Sequence, residues 1–235
     1  MIQLMHGNCL ELMKSIPDGS IDAIITDPPY GTTACKWDSV IPFDLMWDQL
    51  NRIIKPNGAI VLFGSEPFSS ALRMSNIKDY KYDWIWEKQQ GTGHLNAKRQ
   101  PLRKTENICV FYNNQCVYNP QMVGDEVRTI KRKGTLSKNE NYGKHLEIAS
   151  STYIGRYPVN IINESTPKTG IHPTQKPVLL MEYLIKTYTN ENETVLDFTC
   201  GSGSTGVAAK NLNRNFIGIE MDENYFNIAK TRINQ

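Results

Sequence analysis

A carboxylate, two prolines and an aromatic ring share the short stretch Asp27-Pro28-Pro29-Tyr30, which directly follows the apolar run Ile21–Thr26. Ligands of open α/β sheets bind at the carboxyl ends of strands, so this stretch is placed for chemistry. Asp27 and the carbonyl of Pro28 can accept hydrogen bonds from an amino group, and Tyr30 can stack on a ring. We therefore expect a site for a flat substrate that carries an amino group.

A second stretch, 197–206, reads as the end of a strand, a glycine turn and the start of a helix. Glycines there allow a ligand to approach the backbone and the open helix N-terminus. Glu220 follows Asp197 by 23 residues at the end of the next predicted strand, where an acidic side chain can hold the hydroxyls of a ribose. This spacing predicts a nucleoside site, although an ordinary strand-to-helix turn is the alternative.

The glycine turn matches one common phosphate-binding pattern and departs from another. Gly201, Gly203 and Gly206 have the spacing of the dinucleotide fingerprint, whereas the Gly-Lys-Ser/Thr of a P-loop does not occur there, which argues against a nucleoside triphosphate. An adenosine with a non-phosphate group is the better candidate. S-adenosylmethionine fits, with Asp197 paired with its ammonium group and Glu220 holding its ribose.

The elements that must position these residues alternate along the chain, which predicts an α/β fold with a mostly parallel sheet covered on both faces. Lys55-Pro56-Asn57-Gly58 reads as a turn. The strands are expected at 2–6, 21–26, 59–63, 80–86, 108–112, 194–197 and 216–220, and the helices at 10–16, 43–54, 67–76, 177–188, 205–211 and 223–233.

From about residue 89 to 165 the pattern is largely irregular, which is typical of a functional or disordered segment. Between Lys88 and Lys144 there are eleven basic and four acidic residues, with tyrosines interleaved. Such a tract suits contact with phosphates and stacking on bases, although a solvated surface loop is the simpler reading for any single lysine.

Composition bounds the remaining classes. At 235 residues the chain most naturally forms one domain (1–235), and a net charge of +2 carries no argument for a polyanionic partner. Its five scattered cysteines lack paired spacing, so we expect reduced thiols, no metal site and a cytoplasmic location. No leader-like or membrane-spanning stretch is evident, and we expect no contact with a membrane.

The two stretches, together with His172-Pro173-Thr174-Gln175-Lys176-Pro177, resemble the beta class of DNA amino-methyltransferases in content and in order. The similarity covers nearly the whole chain, including Gly7-Asn8-Cys9. It implies a Rossmann-like methyltransferase fold entered at a circularly permuted point. Its sheet is expected to have seven mostly parallel strands with one antiparallel, and a target-recognition insertion at about 113–165.

The resemblance also implies roles for individual residues. Asp27, Pro28, Pro29 and Tyr30 are expected to be catalytic. The expected S-adenosylmethionine neighbours are Asn8, Cys9, Asp27, His172, Thr174, Lys176, Asp197, Phe198, Thr199, Gly201, Ser202, Gly203 and Glu220. The expected DNA contacts are Lys98, Arg99, Arg103, Lys131, Arg132 and Lys133. Dimers occur in the family, so the resemblance leaves a homodimer open.

The implied reaction is direct methyl transfer to an exocyclic amine of a base that has left duplex DNA. Asp27 and the Pro28 carbonyl would each accept one hydrogen bond from the amine and stabilise the charge that develops on it. An aspartate at the first position favours adenine N6 within the family. Cytosine N4 is the closest alternative, followed by an inactive DNA-binding relative and by methylation of RNA or of a protein glutamine.

Overall fold

The computed structural model describes residues 1–32, 38–131, 137–139, 143–145, 150–164 and 175–235. The strands are β1 (Ile2–His6), β2 (Ile21–Thr26), β3 (Ile54–Gly64), β4 (Tyr80–Thr92), β5 (Arg103–Phe111), β6 (Val123–Lys131), β7 (Ser137–Asn139), β8 (Gly143–His145), β9 (Ser150–Arg156), β10 (Ile161–Ile162), β11 (Thr194–Asp197) and β12 (Asn215–Glu220). The α-helices are α1 (Cys9–Leu12), α2 (Phe43–Ile53), α3 (Phe68–Ser75), α4 (Val178–Tyr188), α5 (Ser204–Asn211) and α6 (Glu223–Asn234).

One sheet organises the molecule, with strand order β1-β12-β11-β2-β3-β5-β4-β10. Neighbouring strands pair in parallel except on both sides of β5, which is antiparallel to β3 and to β4. The mostly parallel sheet with one antiparallel strand, expected from the sequence, is therefore confirmed. The two-residue strand β10 adds an eighth strand to the seven that were expected.

The sheet is buried on both faces, as a parallel sheet requires. Along β2, the side chains of Ala23 and Ile25 belong to a core that includes the apolar residues of α4, α5 and α6. Ile24 belongs to a second core, which includes the apolar residues of α2 and α3. The carboxyl end of β2 is therefore held rigidly between two layers of helices.

The turn expected at Lys55-Pro56-Asn57-Gly58 is wrong, because these residues lie within β3, which begins directly after α2. The pairing between β2 and β3 shifts register at this point, which accommodates the extra residues. A Cβ at Gly58 would lie 2.8 Å from the carbonyl oxygen of Asp22, so the glycine allows a close approach of the two strands. Here Pro-Asn-Gly marks an irregularity within a strand.

The irregular tract is also more structured than expected. β4 continues to Thr92 and β5 begins at Arg103, so these strands extend beyond their predicted limits. Residues Pro120–Val159 form a separate compact unit, in which β6 pairs with β9 and β7 with β8. This unit lies within the predicted insertion, and its role in target recognition stays a prediction.

Candidate active site

Four parallel strands, β1, β12, β11 and β2, end at the same edge of the sheet. Asn8 follows β1, Glu220 ends β12, Asp197 ends β11 and Asp27 follows β2. These residues line a cavity of about 780 Å³, which is in the range of small-molecule sites. The fold thus brings to one cavity the turn predicted to be catalytic (27–30, the catalytic turn) and the turn predicted to hold the cofactor (197–203, the cofactor turn).

Hydroxyl groups join the two turns. Thr26 Oγ1 donates to Asp197 Oδ1 at 2.6 Å and lies 2.7 Å from Thr199 Oγ1. The Thr199 hydroxyl in turn donates to the carbonyl oxygen of Asp27 at 3.1 Å. The backbone of the catalytic turn is therefore tied to the cofactor turn through neutral hydrogen bonds.

The Asp197 carboxylate is 4% exposed and is surrounded by donors. Thr205 Oγ1 donates to its Oδ2 at 2.5 Å, and the backbone N–H of Thr199 donates to its Oδ1 at 3.2 Å. Burial raises the pKa of this carboxyl to about 6, and these hydrogen bonds oppose the rise. In the structure the carboxylate connects elements of the fold, so a contact with an ammonium group would compete with three existing bonds.

The Asp27 carboxylate has different partners. The Tyr30 hydroxyl donates to Oδ1, and Lys176 Nζ lies 2.5 Å from Oδ2. Lys176 Nζ also lies 3.3 Å from Oε2 of Glu106, whose Oε1 accepts from Lys88 Nζ at 2.8 Å. Asp27 is thus the end of a line of alternating charges that reaches across β5 to β4.

Burial and charge act in opposite directions on this line. Burial raises the pKa of Asp27, and Lys176 opposes the rise. Burial lowers the pKa of Lys176, but Asp27 and Glu106 outweigh burial and raise it above its usual range. Lys176 is therefore protonated at neutral pH, and it is the cation that favours the ionised form of Asp27.

Two contacts fix the rest of the catalytic turn. The Tyr30 ring stacks on Phe68 with centroids 5.0 Å apart, and burial keeps the pKa of its hydroxyl well above the usual value, so it is a donor. Asp38 accepts from the N–H groups of Gly31 and Thr32 at 2.8 and 2.9 Å. The turn is held both at its ring and at its end.

The cofactor turn is built on backbone contacts. Glu220 accepts from the N–H groups of Gly201 and Asp222 at 2.7 and 2.8 Å. These two bonds fix the orientation of its carboxylate, and Glu220 lines the cavity. Gly203 has a positive φ of 82° at the start of α5. A Cβ at Gly206 would lie 2.3 Å from the Ile233 side chain, so this third glycine allows α5 to pack closely against α6.

The cavity can hold a nucleoside with an uncharged or cationic tail. Among the described residues none hydrogen-bonds to the buried Oγ of Ser204, which lines the cavity at the first turn of α5. The carboxylate oxygens of Glu220 keep acceptor capacity beyond their backbone bonds, as two ribose hydroxyls require. An unpaired donor, an oriented carboxylate and a glycine turn together fit S-adenosylmethionine.

Comparison with known proteins gives the family. A family model described as DNA methylase, for the N6/N4 methyltransferases, matches residues 21–231. The chain belongs to the N6/N4 DNA methylase family. A type II methyltransferase of Lactococcus lactis subsp. cremoris, M2.LlaDCHI, is 30% identical over 258 residues, which cover 99% of this chain and 89% of that protein.

Solved structures agree with this assignment. The M1.HpyAVI-SAM complex is 30% identical, with a TM-score of 0.66 over 99% of this chain and 100% of that one. The PvuII DNA methyltransferase, described as cytosine-N4-specific, has a TM-score of 0.71 over 98% of this chain and 86% of that one. At 18% identity the PvuII enzyme supports the fold alone. This DNA methylase uses S-adenosylmethionine as its methyl donor.

The structure places the remaining predicted cofactor residues of this DNA methylase with varied roles. Asn8 caps α1 by accepting from the N–H of Leu10 at 2.9 Å. Burial raises the pKa of the Cys9 thiol to about 11, so the thiol is neutral. Phe198 is 1% exposed within the core, and Ser202 accepts from Arg232 through its hydroxyl at 2.9 Å. Contacts of these residues with the cofactor stay predictions.

Several predicted residues lie outside the described part of this DNA methylase: His172 and Thr174 near the cofactor, and Arg132 and Lys133 in the basic tract. Lys131 is described as part of β6 only. Lys98 and Arg99 are exposed between β4 and β5. The Arg103 guanidinium lies 3.4 Å from Ser65 Oγ.

Sequence reasoning missed residues that support the two turns of this DNA methylase. Thr26 and Thr205 carry no motif signal, because a buried threonine at the end of a strand or the start of a helix is common. Lys88 and Glu106 were considered only in the charge count of the basic tract. Among the described residues no cluster that could hold a metal ion occurs, and no helix is long and apolar enough to cross a membrane.

Proposed function

We propose that this DNA methylase transfers a methyl group to the exocyclic N6 of adenine in specific sites of duplex DNA. The observation that supports the proposal most directly is the Asp27 carboxylate, which faces the cavity beside the cofactor turn. Its side chain is 23% exposed, so an entering amine can reach it. The only reagent this chemistry needs from outside the chain is the activated methyl group that S-adenosylmethionine supplies when bound.

The residues of the catalytic turn act on the acceptor amine. The amine of a nucleobase is a weak nucleophile because its lone pair is delocalised into the ring. The Asp27 carboxylate and the Pro28 carbonyl would each accept an N–H, which draws electron density back to the nitrogen and stabilises its developing positive charge. The link from Thr26 through Thr199 to the Asp27 carbonyl fixes these acceptors relative to the cofactor turn.

The target base must leave the duplex to reach this cavity. Phe68 packs on one face of the Tyr30 ring, and the other face would stack on the base. The hydrogen bond from the Tyr30 hydroxyl to Asp27 sets the plane of the ring. One side chain would thus orient both the base and the carboxylate that receives its amine.

DNA would be held outside the cavity by the connection between β4 and β5, since Gln89, Gln90 and Thr92 line the cavity and Lys98 and Arg99 follow in the chain. The unit 120–159, with Lys131, Arg132 and Lys133 in its chain, would read the target sequence.

Binding tests these phosphate contacts. Replacing Lys98 and Arg99 by alanine should weaken DNA binding and reduce the slope of log K against log salt by up to about 2. The matched control replaces Lys78 and Lys81, which are exposed near the start of β4, at its opposite end. Equal slopes in both variants would remove Lys98 and Arg99 from the interface.

The identity of the methylated base distinguishes adenine N6 methylation from cytosine N4 methylation. An aspartate at the first position of the turn favours adenine, whereas cytosine N4 is the alternative. Methylated DNA should be digested to nucleosides and separated by mass, with N6-methyladenine expected. N4-methylcytosine would replace the base assignment, and transfer of no methyl group to DNA of varied sequence would favour an inactive DNA-binding relative.

The relatives named type II methyltransferases support a role in protecting DNA against a companion endonuclease. Sequencing DNA from expressing cells with detection of modified bases would give the site. A homodimer and a cytoplasmic location stay predictions, and the mass of the purified protein in solution tests the first.

A further inference from the structure

Four acidic and basic side chains from four segments form one line at the edge of the cavity. Lys88 on β4 lies 2.8 Å from Glu106 on β5, and Glu106 lies 3.3 Å from Lys176, which precedes α4. Lys176 lies 2.5 Å from Asp27 in the catalytic turn. The charges alternate, so each internal member has an opposite charge on both sides.

The surroundings of Lys176 make these partners necessary. Its side chain is 8% exposed, and its Nζ lies 5.0 Å from the ring centroid of Phe63 and 5.9 Å from that of Trp86. Water cannot stabilise an ammonium in such a place, so the two carboxylates must do so. The buried Lys176 ammonium is therefore shared between the carboxylates of Asp27 and Glu106.

We propose that Lys176 is a positioning residue that keeps the Asp27 carboxylate ionised and oriented for the acceptor amine, while Glu106 and Lys88 hold Lys176 in place. This inference rests on the proposed function and deepens it. It assigns Lys176 to the catalytic carboxylate, in place of the cofactor contact expected from the sequence.

Among the residues that the structure describes, the groups that face Asp27 are Tyr30 in its own turn, Lys176 before α4, Glu106 on β5, Asp197 at the end of β11 and Thr199 after it. Lys176 is the cation among them, whereas Glu106 and Asp197 are carboxyl groups. Without Lys176, Asp27 would face two carboxyl groups in a buried site and would retain its proton. Without the charge of Glu106, Lys176 would belong to Asp27 alone, and ionisation of Asp27 would become easier.

The two changes therefore have opposite consequences. The rate of methyl transfer in a single turnover should fall on the acid side as Asp27 becomes protonated, because a neutral carboxyl is a poor acceptor for the amine. Lys176→Met should move this acid limb to higher pH by about 1–3 units, the range for an opposite charge at this distance. Glu106→Gln should move the limb to lower pH by about 1 unit.

The experiment measures single-turnover methyl transfer to duplex DNA against pH, with saturating S-adenosylmethionine, for wild type, K176M and E106Q. The matched control is Lys55→Met, which removes an equally close ion pair with Asp22 on the same strand β2 but at its opposite end. K55M should leave the acid limb in place. Shifts of K176M and E106Q in the same direction, or no shifts, overturn the proposal.

Affinity for S-adenosylmethionine separates this role from a cofactor contact. Calorimetry at fixed pH should give K176M a dissociation constant within about threefold of wild type. A large loss of affinity with an unmoved acid limb overturns the proposal in favour of the cofactor role. If K176M does not fold, E106Q decides alone. An acid limb of its pH profile at the same pH as in wild type, or at a higher pH, would contradict the proposed order of charges.

A second measurement does not depend on activity. Protein labelled with ¹³C at aspartate carboxyl groups can be titrated by NMR, with D27N assigning the Asp27 resonance. Its midpoint should rise in K176M and fall in E106Q, and unchanged midpoints overturn the inference. If wild type transferred no methyl group to DNA, the proposed function would fail, and this titration would still decide whether the line of charges controls Asp27.

Discussion

Asp27 and Asp197 stand at the carboxyl ends of neighbouring parallel strands, yet the protein supports them in opposite ways. Asp197 is 4% exposed, and its oxygens accept from the hydroxyls of Thr26 and Thr205. Asp27 is partly exposed and is held by Lys176 and Tyr30. The first carboxylate is fixed by neutral donors, and the second is balanced by a buried cation.

This difference predicts a structural role for Asp197 and a reactive role for Asp27. Neutral donors leave burial to dominate, so the pKa of Asp197 rises to about 6, and the group connects β2, β11 and α5. Burial raises the pKa of Asp27 as well, but there the buried cation of Lys176 opposes the rise and favours the charged form, which a good acceptor for an amine N–H requires. Changes at Asp27 should therefore alter catalysis, and changes at Asp197 should alter stability.

The largest effect is expected for Asp27→Ala. Methyl transfer should fall by about 10³-fold or more, because the variant lacks the acceptor aligned with the developing charge on the amine. Affinity for S-adenosylmethionine should change little, whereas the free energy of unfolding should fall, because the buried Lys176 keeps only Glu106 of its two carboxylate partners. Transfer of labelled methyl to DNA and calorimetry measure the rate and the affinity, and near-normal turnover would remove Asp27 from the reaction.

Asp197→Ala should lower the free energy of unfolding by about 3 kcal/mol, because the buried hydroxyls of Thr26 and Thr205 lose a charged acceptor. Urea unfolding measures this, and Asp197→Asn, which keeps one acceptor oxygen, should cost less. If D197A unfolded like wild type but lost affinity for S-adenosylmethionine, the carboxylate would serve the cofactor, as the sequence suggested.

The pH dependence of stability tests the same carboxylate. The folded state holds the Asp197 proton up to about pH 6, whereas the usual pKa of an exposed aspartate is 3.8. The contribution of this group to stability is therefore complete below pH 4 and is lost as pH rises through 6. Relative to D197N, wild type should lose about 2–3 kcal/mol between pH 4 and 7. Parallel curves for the two proteins would contradict the assigned pKa.

The smallest effect is expected for Thr26→Val, which removes the hydroxyl that links the two turns. Stability should fall by about 1 kcal/mol, and methyl transfer should fall several-fold because Thr199 loses its neighbour and positions the Asp27 carbonyl less well. Thr187→Val is the matched control, since Thr187 is equally buried but bonds within α4. An equal loss of rate in both variants would show that stability alone is involved.

Much of the fold could be predicted because periodicity and motifs are local. β1, β2 and β11 have the expected bounds, and Glu223 begins the last helix as expected. The turn at Lys55–Gly58 failed because a proline and a glycine also occur at irregularities within strands, and only the pairing with β2 shows which one is present. The predicted lengths of β4 and β5 were too short, because the added ends of both strands are polar.

The site divides in the same way. The sequence placed Asp27, Tyr30, Gly201 and Glu220, whose chemistry is visible in their types and spacing. It assigned Lys176 to the cofactor and gave no role to Thr26. The contacts of Lys176 with Asp27 and of Thr26 with Asp197 join residues far apart in the chain, so the sequence does not show them. The ion pairs of Glu106 with Lys88 and with Lys176 could not be predicted for the same reason.

The sequence by itself determined the two turns, their order and the family, since backbone-fixing residues and a carboxylate at a strand end carry their meaning locally. The tertiary structure alone decided which partners each carboxylate has. Thr26 meets Asp197 across 171 residues, and Lys176 meets Asp27 across 149. The physical reason is burial: once both carboxylates leave water, their protonation depends on partners that only the folded chain brings within reach.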